Sequence, residues 1–314
     1  MKKLRTAVVG VGYLGRFHAQ KYAALPNAEL VAVVDASIDT AQRVADELKT
    51  QALTDYRELF DKVDAVSIVV PTQMHYAVAK DFLARGVHVM LEKPMTVTVD
   101  EADELIALAK QNNLVLQIGH LERFNSAVMA LDKVLDQPQF IESHRLAPFK
   151  PRGADVNVVL DLMIHDIDII QHLVRSPITK IDTNGVTVLT KEIDIANARL
   201  QFENGCVANV TASRVSMKPQ RKMRIFQPDA YISVDFQDKV LSVHRKGTKE
   251  MFPGIPEITS EESIFDNSDA ILAEIEAFIK AIEQGTPPPV TGEDGRDALK
   301  TAIWITELLT GEKQ

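Results

Sequence analysis

The chain has 314 residues, 46% hydrophobic and 25% charged, with a formal net charge of -9; that length carries two domains with cores of their own, and that charge argues against wholesale nucleic-acid binding. No apolar run approaches the roughly 20 residues that a membrane helix needs, and the single cysteine, Cys206, excludes a disulfide framework or a thiolate metal cluster. The basic start over residues 1–5 runs into glycines and not into a small-residue cleavage site, which predicts a first strand, no signal peptide and a cytoplasmic protein.

In chain order, Thr6-Ala7-Val8-Val9 reads as a short buried strand. Gly10-Val11-Gly12-Tyr13-Leu14-Gly15 follows at once, and helical periodicity then runs from Leu14 to Leu25. In a strand–turn–helix these glycines serve a tight turn, close backbone approach to a pyrophosphate and close helix–strand packing. The amides at the helix start hold the phosphates. The second strand, 29–34, ends in Asp35, about twenty residues beyond Gly15, where an acid binds the adenosine ribose hydroxyls and repels a 2′-phosphate. The expected cofactor is therefore NAD, with NADP disfavoured.

The alternation continues through helices at 40–49 and 56–60, a strand at 65–70 stopped by Pro71, and a helix at 75–85. A strand at 87–91 ends in Glu92-Lys93-Pro94, a helix capped by Thr98 ends near Asn112, and a strand covers 114–118. Such alternation predicts a parallel doubly wound sheet, with ligands at the carboxyl ends of its strands. The candidate cofactor-binding residues are Gly10, Gly12, Tyr13, Leu14, Gly15, Asp35, Pro71, Thr72, His75, Glu92 and Lys93. Lys93 precedes a proline and is held out of the helical region; it is either a functional group projecting from a strand end or a lysine in a surface turn.

From Glu122 the character changes. A helix is expected to Leu135, then strands at 139–146, 178–189, 224–234 and 240–245, with a hairpin of 196–202 and 206–215 across Glu203-Asn204-Gly205. The hairpin alternates an apolar row with a mostly polar one, as in a sheet with helices on one face and solvent or a second subunit on the other. An amphipathic helix at 268–283, a stiff spacer at 285–289 and a last helix at 296–310, placed to reach back toward the first domain, complete the chain. The expected architecture is α/β: a dinucleotide-binding domain over 1–121, and over 122–314 an α+β domain with a large, mostly antiparallel open sheet for substrate binding and oligomerisation.

Residues 158–174 are apolar on almost every side, the mark of a buried helix. Asp161, His165, Asp168 and His172 recur there at steps of four, three and four, which is one stripe of a 3.6-residue helix. Asp166 and Gln171 fall off it. Buried carboxylates and imidazoles are costly unless paired, and two readings stay open: a structural stripe, or an acid/base pair of Asp161 and His165 facing a substrate cleft. A metal on Asp161, His165 and Asp168 would need further ligands, so none is expected. Basic residues gather at His144-Arg145, Lys150-Pro151-Arg152 and from Arg214 to Arg224, forming either a phosphate pocket or a solvated rim or subunit contact.

With the glycine loop, Glu92-Lys93-Pro94 and the Asp161/His165 pair together, the chain resembles, over essentially its whole length, the glucose–fructose oxidoreductase/inositol dehydrogenase (Gfo/Idh/MocA) family of sugar and cyclitol oxidoreductases, whose N-terminal domain is a Rossmann fold. The resemblance implies that Lys93 binds the reacting hydroxyl, His165 takes its proton and Asp161 binds or orients near it. The stretch Gly119-His120-Leu121-Glu122-Arg123-Phe124-Asn125 is similar to the branch acting on UDP-sugars, and the region from Arg145 to Asp161 to its UDP-N-acetylglucosamine 3-dehydrogenases, which supply amino sugars for lipid A. The implied substrate residues are His120, Arg123, Phe124, Asn125, Arg145, Lys150, Arg152, Asp161 and His165. The implied assembly is a homodimer or homotetramer formed through the open sheet. Rival expectations are another nucleotide sugar, a free sugar or cyclitol, or a non-catalytic nicotinamide-sensing protein.

Overall fold

In a computed structural model, which describes residues 3–151, 156–265 and 269–311, the first part of the chain forms β1 (Leu4–Val9), α1 (Tyr13–Ala24), β2 (Ala28–Val34), α2 (Ile38–Leu48), β3 (Gln51–Leu53), β4 (Ala65–Ile68), α3 (Thr72–Leu83), β5 (His88–Glu92), α4 (Val99–Gln111) and β6 (Leu116–Gly119). The six strands make one parallel sheet in the order β3-β2-β1-β4-β5-β6. β3 is too short to leave a periodic signal and escapes the sequence pattern. Thr98 caps α4 with Glu101 in a reciprocal capping box, as the Thr-x-x-Glu spacing dictates.

Two compact units divide the chain: residues 1–121 with 269–299, and 122–268 with 300–314. The return of the late segment to the first unit follows from α7 (Ala270–Gln284), whose Ile275, Phe278 and Ile279 enter the same core as Val8, Tyr22, Val33 and Met90. Each such side chain contributes about 1.5–3 kcal/mol by leaving water. Asp269 caps α7 through the Leu272 amide.

The second unit holds α5 (Ser126–Leu131), β7 (Phe140–Leu146), α6 (Ile164–Val174), β8 (Ile178–Val186), β9 (Ile195–Phe202), β10 (Val207–Ser213), β11 (Gln220–Gln227), β12 (Ala230–Asp235), β13 (Val240–Phe252) and β14 (Ile255–Ile264). Its eight-stranded sheet runs β14-β13-β12-β11-β7-β10-β9-β8, antiparallel except where β7 meets β10. The β9/β10 hairpin buries Ala196, Ala198, Leu200, Phe202, Ala208, Val210 and Ala212, the apolar row that alternation marks out.

Several expected elements need correction. No single helix covers 122–135: a 3-10 turn at Leu121–Phe124 stops, and Asn125 starts α5 afresh by accepting from the Ala127 amide. The expected strand at 224–234 is two strands, β11 and β12, because Pro228 and Asp229 turn the chain between them. The strand expected at 240–245 runs on to Phe252 and folds back at Pro253-Gly254 as β14, whose polar, charged sequence hides its register. The last helix, α8 (Gly292–Thr310), begins before 296 because Thr291 and Asp294 cap it.

β8 stops at Val186 and not at 189, because the Asp194 carboxylate gathers the amides of Val188, Leu189 and Thr190 at 2.8, 2.6 and 2.9 Å. Burial opposes the Asp194 charge, but these donors prevail and hold its carboxyl down to about 2. Asp194→Ala, which leaves those donors without their acceptor, is expected to cost about 2–3 kcal/mol of stability, read as a lower urea midpoint; a loss below about 0.5 kcal/mol would mean that water replaces the carboxylate fully.

Candidate active site

The glycine loop connects β1 to α1. Gly10 has φ +87°, and a Cβ there would lie 2.5 Å from the Val69 carbonyl oxygen; one at Gly15 would lie 1.8 Å from the Gly10 carbonyl oxygen. At Gly12 an added Cβ would meet nothing within 4 Å. Gly12 is the N-cap of α1, with no side-chain cap and no acid in the first turn. The amides of Tyr13, Leu14 and Gly15 thus open a helix on a space that the chain itself leaves clear, and a pyrophosphate fits that arrangement. Tyr13 is 73% exposed.

Asp35 follows directly on β2, and its carboxylate accepts from the Val11 amide at 3.0 Å and the Ser37 amide at 3.0 Å. The acid is therefore anchored to the glycine loop itself. Asp35→Ser should erode the preference for NAD over NADP by about tenfold or more in kcat/KM ratio, since a fixed negative charge opposing the 2′-phosphate is lost; an unchanged ratio would mean that the ribose is read elsewhere.

Pro71 and Thr72 lie at the start of α3, just beyond β4, again without a side-chain cap. His75 differs from expectation. It is buried, with Nδ1 2.9 Å from the Pro94 carbonyl oxygen and Nε2 2.8 Å from that of Val70, so both ring nitrogens face the two strand-end loops. Burial pushes this imidazole below its ordinary value, and the two carbonyls work against that. Glu92 ends β5 and Lys93 follows it; the Lys93 amide donates to Glu92 Oε2 at 3.2 Å and the Lys93–Pro94 peptide is cis.

In the second unit the polar stripe of 158–174 divides. A π-helical turn covers Val159–Met163 before α6 begins, so the even 3.6-residue spacing assumed from the sequence does not hold through Asp161. Such turns recur at functional sites. Asn157 starts it by accepting from the Val159 and Leu160 amides, both at 3.0 Å. Asp161 and His165 are half-buried. Asp168 and His172, further along, both meet Arg123: Nη1 donates to Asp168 Oδ1 at 3.2 Å, and Nη2 lies 2.8 Å from His172 Nδ1. Arg123 thus ties down the Asp168/His172 end of the stripe, and Asp161 and His165 lie half-buried at its other end.

Arg123, Phe124, Asn125 and Arg145, expected against substrate, are all buried. Arg123 holds α6 as described, and Asn125 spends its side chain on the α5 cap and on the Phe236 carbonyl. Arg145 donates through Nε to Asp166 Oδ2 at 2.6 Å and through Nη1 to Glu122 Oε1 at 2.9 Å. Burial disfavours its charge, yet Asp166 and Glu122 together raise it above the ordinary guanidinium value. Asp166, off the stripe, also accepts from Ser143 at 2.7 Å and is the main polar link of α6 to β7. Part of the basic cluster is likewise paired: Arg214 with Asp194, Lys222 with Asp235, Arg224 with Glu142 and Arg221 with Glu122. His120 is buried at the end of β6, Lys150 is exposed, and Arg152 lies outside the described residues.

Residues 4–120 match the oxidoreductase family with an NAD-binding Rossmann fold, and residues 135–233 match the GFO/IDH/MocA C-terminal domain. The chain is 43% identical over 306 residues, 97% of each sequence, to a UDP-N-acetylglucosamine 3-dehydrogenase of Acidithiobacillus ferrooxidans. A solved structure of that enzyme superposes with a TM-score of 0.92 at 41% identity, covering 100% of both chains. At 26% identity over 97% of this chain and 93% of the relative, it is also similar to the NAD-dependent scyllo-inositol 2-dehydrogenase of Bacillus subtilis. A Lactobacillus casei scyllo-inositol dehydrogenase solved with NAD(H) and scyllo-inositol shares the fold, with a TM-score of 0.81 at 22% identity over 99% of this chain and 98% of that one.

Proposed function

This chain belongs to the GFO/IDH/MocA oxidoreductase family, and from that premise we propose that it is an NAD-dependent dehydrogenase oxidising the 3-hydroxyl of UDP-N-acetylglucosamine to the 3-keto sugar. A separate aminotransferase would then convert the ketone to an amino sugar for lipid A. The full-length likeness to a UDP-N-acetylglucosamine 3-dehydrogenase carries this reading.

Oxidising a secondary alcohol removes a hydride from carbon and a proton from oxygen. NAD, when bound, supplies the hydride acceptor. The glycine loop and Asp35 hold it at the strand ends, and Lys93 at the end of β5 sets an ammonium beside the reacting oxygen, where it stabilises developing alkoxide charge. His165 takes the hydroxyl proton on its imidazole, a group suited to that exchange near neutral pH. Asp161, one turn before it, orients the ring and the substrate hydroxyl.

A second reading has one observation in its favour. Arg145 and Arg214, the two buried cations of the basic cluster, are held in ion pairs within the second unit, which weakens the case for their reading a diphosphate and leaves a free sugar or cyclitol as the alternative. The test is NADH formation with UDP-N-acetylglucosamine set beside other UDP-sugars, free N-acetylglucosamine and inositol, with a 3-oxo-specific aminotransferase present to draw the equilibrium. Turnover of the nucleotide sugar and not of the free sugar is expected. Turnover of free polyols alone would favour the second reading, and NAD binding without turnover of any substrate would favour a sensing protein.

The working unit is proposed to be a cytoplasmic homo-oligomer joined through the open sheet face. In support, Phe140, Phe226, Tyr231 and His244 form a continuous aromatic ladder across β7, β11, β12 and β13. The edge hairpin also exposes Met251, Phe252, Ile255, Ile258 and Ile264, an arrangement that a lone monomer ordinarily covers. Among the described residues no helix is long and apolar enough to cross a membrane.

A further inference from the structure

Beside the Glu92-Lys93 strand end lies a group of titratable side chains that the proposed mechanism does not use. His18 comes from α1, Glu92 from β5 and Glu274 from α7, with one donor atom of each inside 4.8 Å of the others. His18 is 1% exposed and Glu274 0%. Both Glu274 oxygens and both His18 ring nitrogens are buried without a hydrogen-bond partner among the described residues, and His18 Nε2 stands 3.4 Å from Glu92 Oε1. The other polar groups here are already oriented. The Tyr22 hydroxyl meets Ser67 at 2.9 Å, and Gln117 Nε2 donates to the Glu274 carbonyl at 2.9 Å while its Oε1 stays buried and unpartnered.

Two ionised carboxylates cannot share so buried a place cheaply, and in such pairs one keeps its proton. Glu274 is the more deeply buried of the two. Burial first, and the Glu92 charge second, push its carboxyl well above the ordinary range. Glu92 in turn accepts from the Lys93 amide, so the place of its carboxylate governs the place of the peptide that carries Lys93. Gly119, paired with Glu92 across the sheet, leaves the carboxylate its room: a Cβ there would lie 2.9 Å from Glu92 Cδ.

We propose that Glu274 is a neutral carboxylic acid in the working protein, that it shares its proton with Glu92 through a bound water, and that this pair, with His18 beside it, positions Lys93. The inference rests on the mechanism above for what Lys93 does; the shared proton stands apart from it. A divalent cation on the same atoms is the competing occupant. Three ligands in so closed a place leave coordination positions that the common ions fill with water or further side chains.

Infrared difference spectra of the intact protein at neutral pH test the proton directly. A protonated carboxylic-acid carbonyl band is expected in the wild type and absent in Glu274→Gln. Because the amide keeps the shape and a hydrogen-bond donor, Glu274→Gln should retain kcat within about threefold and keep the pH profile, whereas Glu274→Ala should lose about tenfold or more in kcat. Absence of the band in the wild type, stoichiometric metal in the purified protein, or an equal loss in the Gln and Ala variants would overturn the inference. Lys93→Ala separates the two ideas: it should be inactive and keep the band, and full activity there would remove the mechanism while the band still reports the proton.

Discussion

His165→Asn is expected to lower kcat by about 10²- to 10⁴-fold, the usual range for a general base, while changing the NAD dissociation constant by no more than about threefold. His165 lies at the start of α6, half-buried, directly after the π turn that carries Asp161. Asn keeps polarity and approximate size but cannot take a proton at neutral pH. The groups proposed to hold NAD are the glycine loop and Asp35, so the ground-state cofactor complex should survive. Steady-state kinetics with cofactor titration by fluorescence check this. Equal loss of turnover and NAD affinity would remove His165 as the base and leave the helix with a structural role.

Gly15→Ala and Gly12→Ala should part company. At Gly15 the new methyl would fall 1.8 Å from the Gly10 carbonyl oxygen, so the strand–helix junction must open. The expected cost is about 3 kcal/mol or more of stability, with NAD binding lost. At Gly12 the backbone is at φ -64° and the methyl would meet no atom of the chain within 4 Å. Stability should stay within about 1 kcal/mol, while NAD affinity falls by about tenfold or more as the methyl occupies the pyrophosphate's approach. Urea melts and cofactor titrations on both variants decide it. Unchanged NAD affinity in Gly12→Ala would place the phosphates elsewhere.

Much of this was legible in the sequence for local reasons. The glycine loop, Asp35 and the capping box at Thr98 and Glu101 act over short stretches, and their spacing fixes their geometry. What stayed hidden depends on partners distant in sequence. Arg145 looks like a surface phosphate ligand until β7 is seen to bury every second residue, Ile141, Ser143 and Arg145, and to turn that row toward Asp166. The sequence does not mark that row, because two of its three buried residues are polar while Phe140 and Leu146 fall on the other row. Arg123 and Asp168 are 45 residues apart, and nothing local links them. His18 and Glu274 left a subtler trace, as polar residues on the buried faces of α1 and α7, beside Ala19 and Tyr22 and beside Ile275 and Phe278. The extent of β13 and β14 was hidden because charged residues alternate there without an apolar row.

The most direct test of the proposed activity uses UDP-N-acetylglucosamine deuterated at carbon 3, with NAD and the aminotransferase trap. The deuterium is expected to arrive on the nicotinamide, seen by mass spectrometry as singly deuterated NADH, and the same substrate should show no transfer with His165→Asn over the same period. Unlabelled NADH would mean that another hydroxyl reacts, and no NADH from this substrate alongside turnover of a free cyclitol would contradict the account.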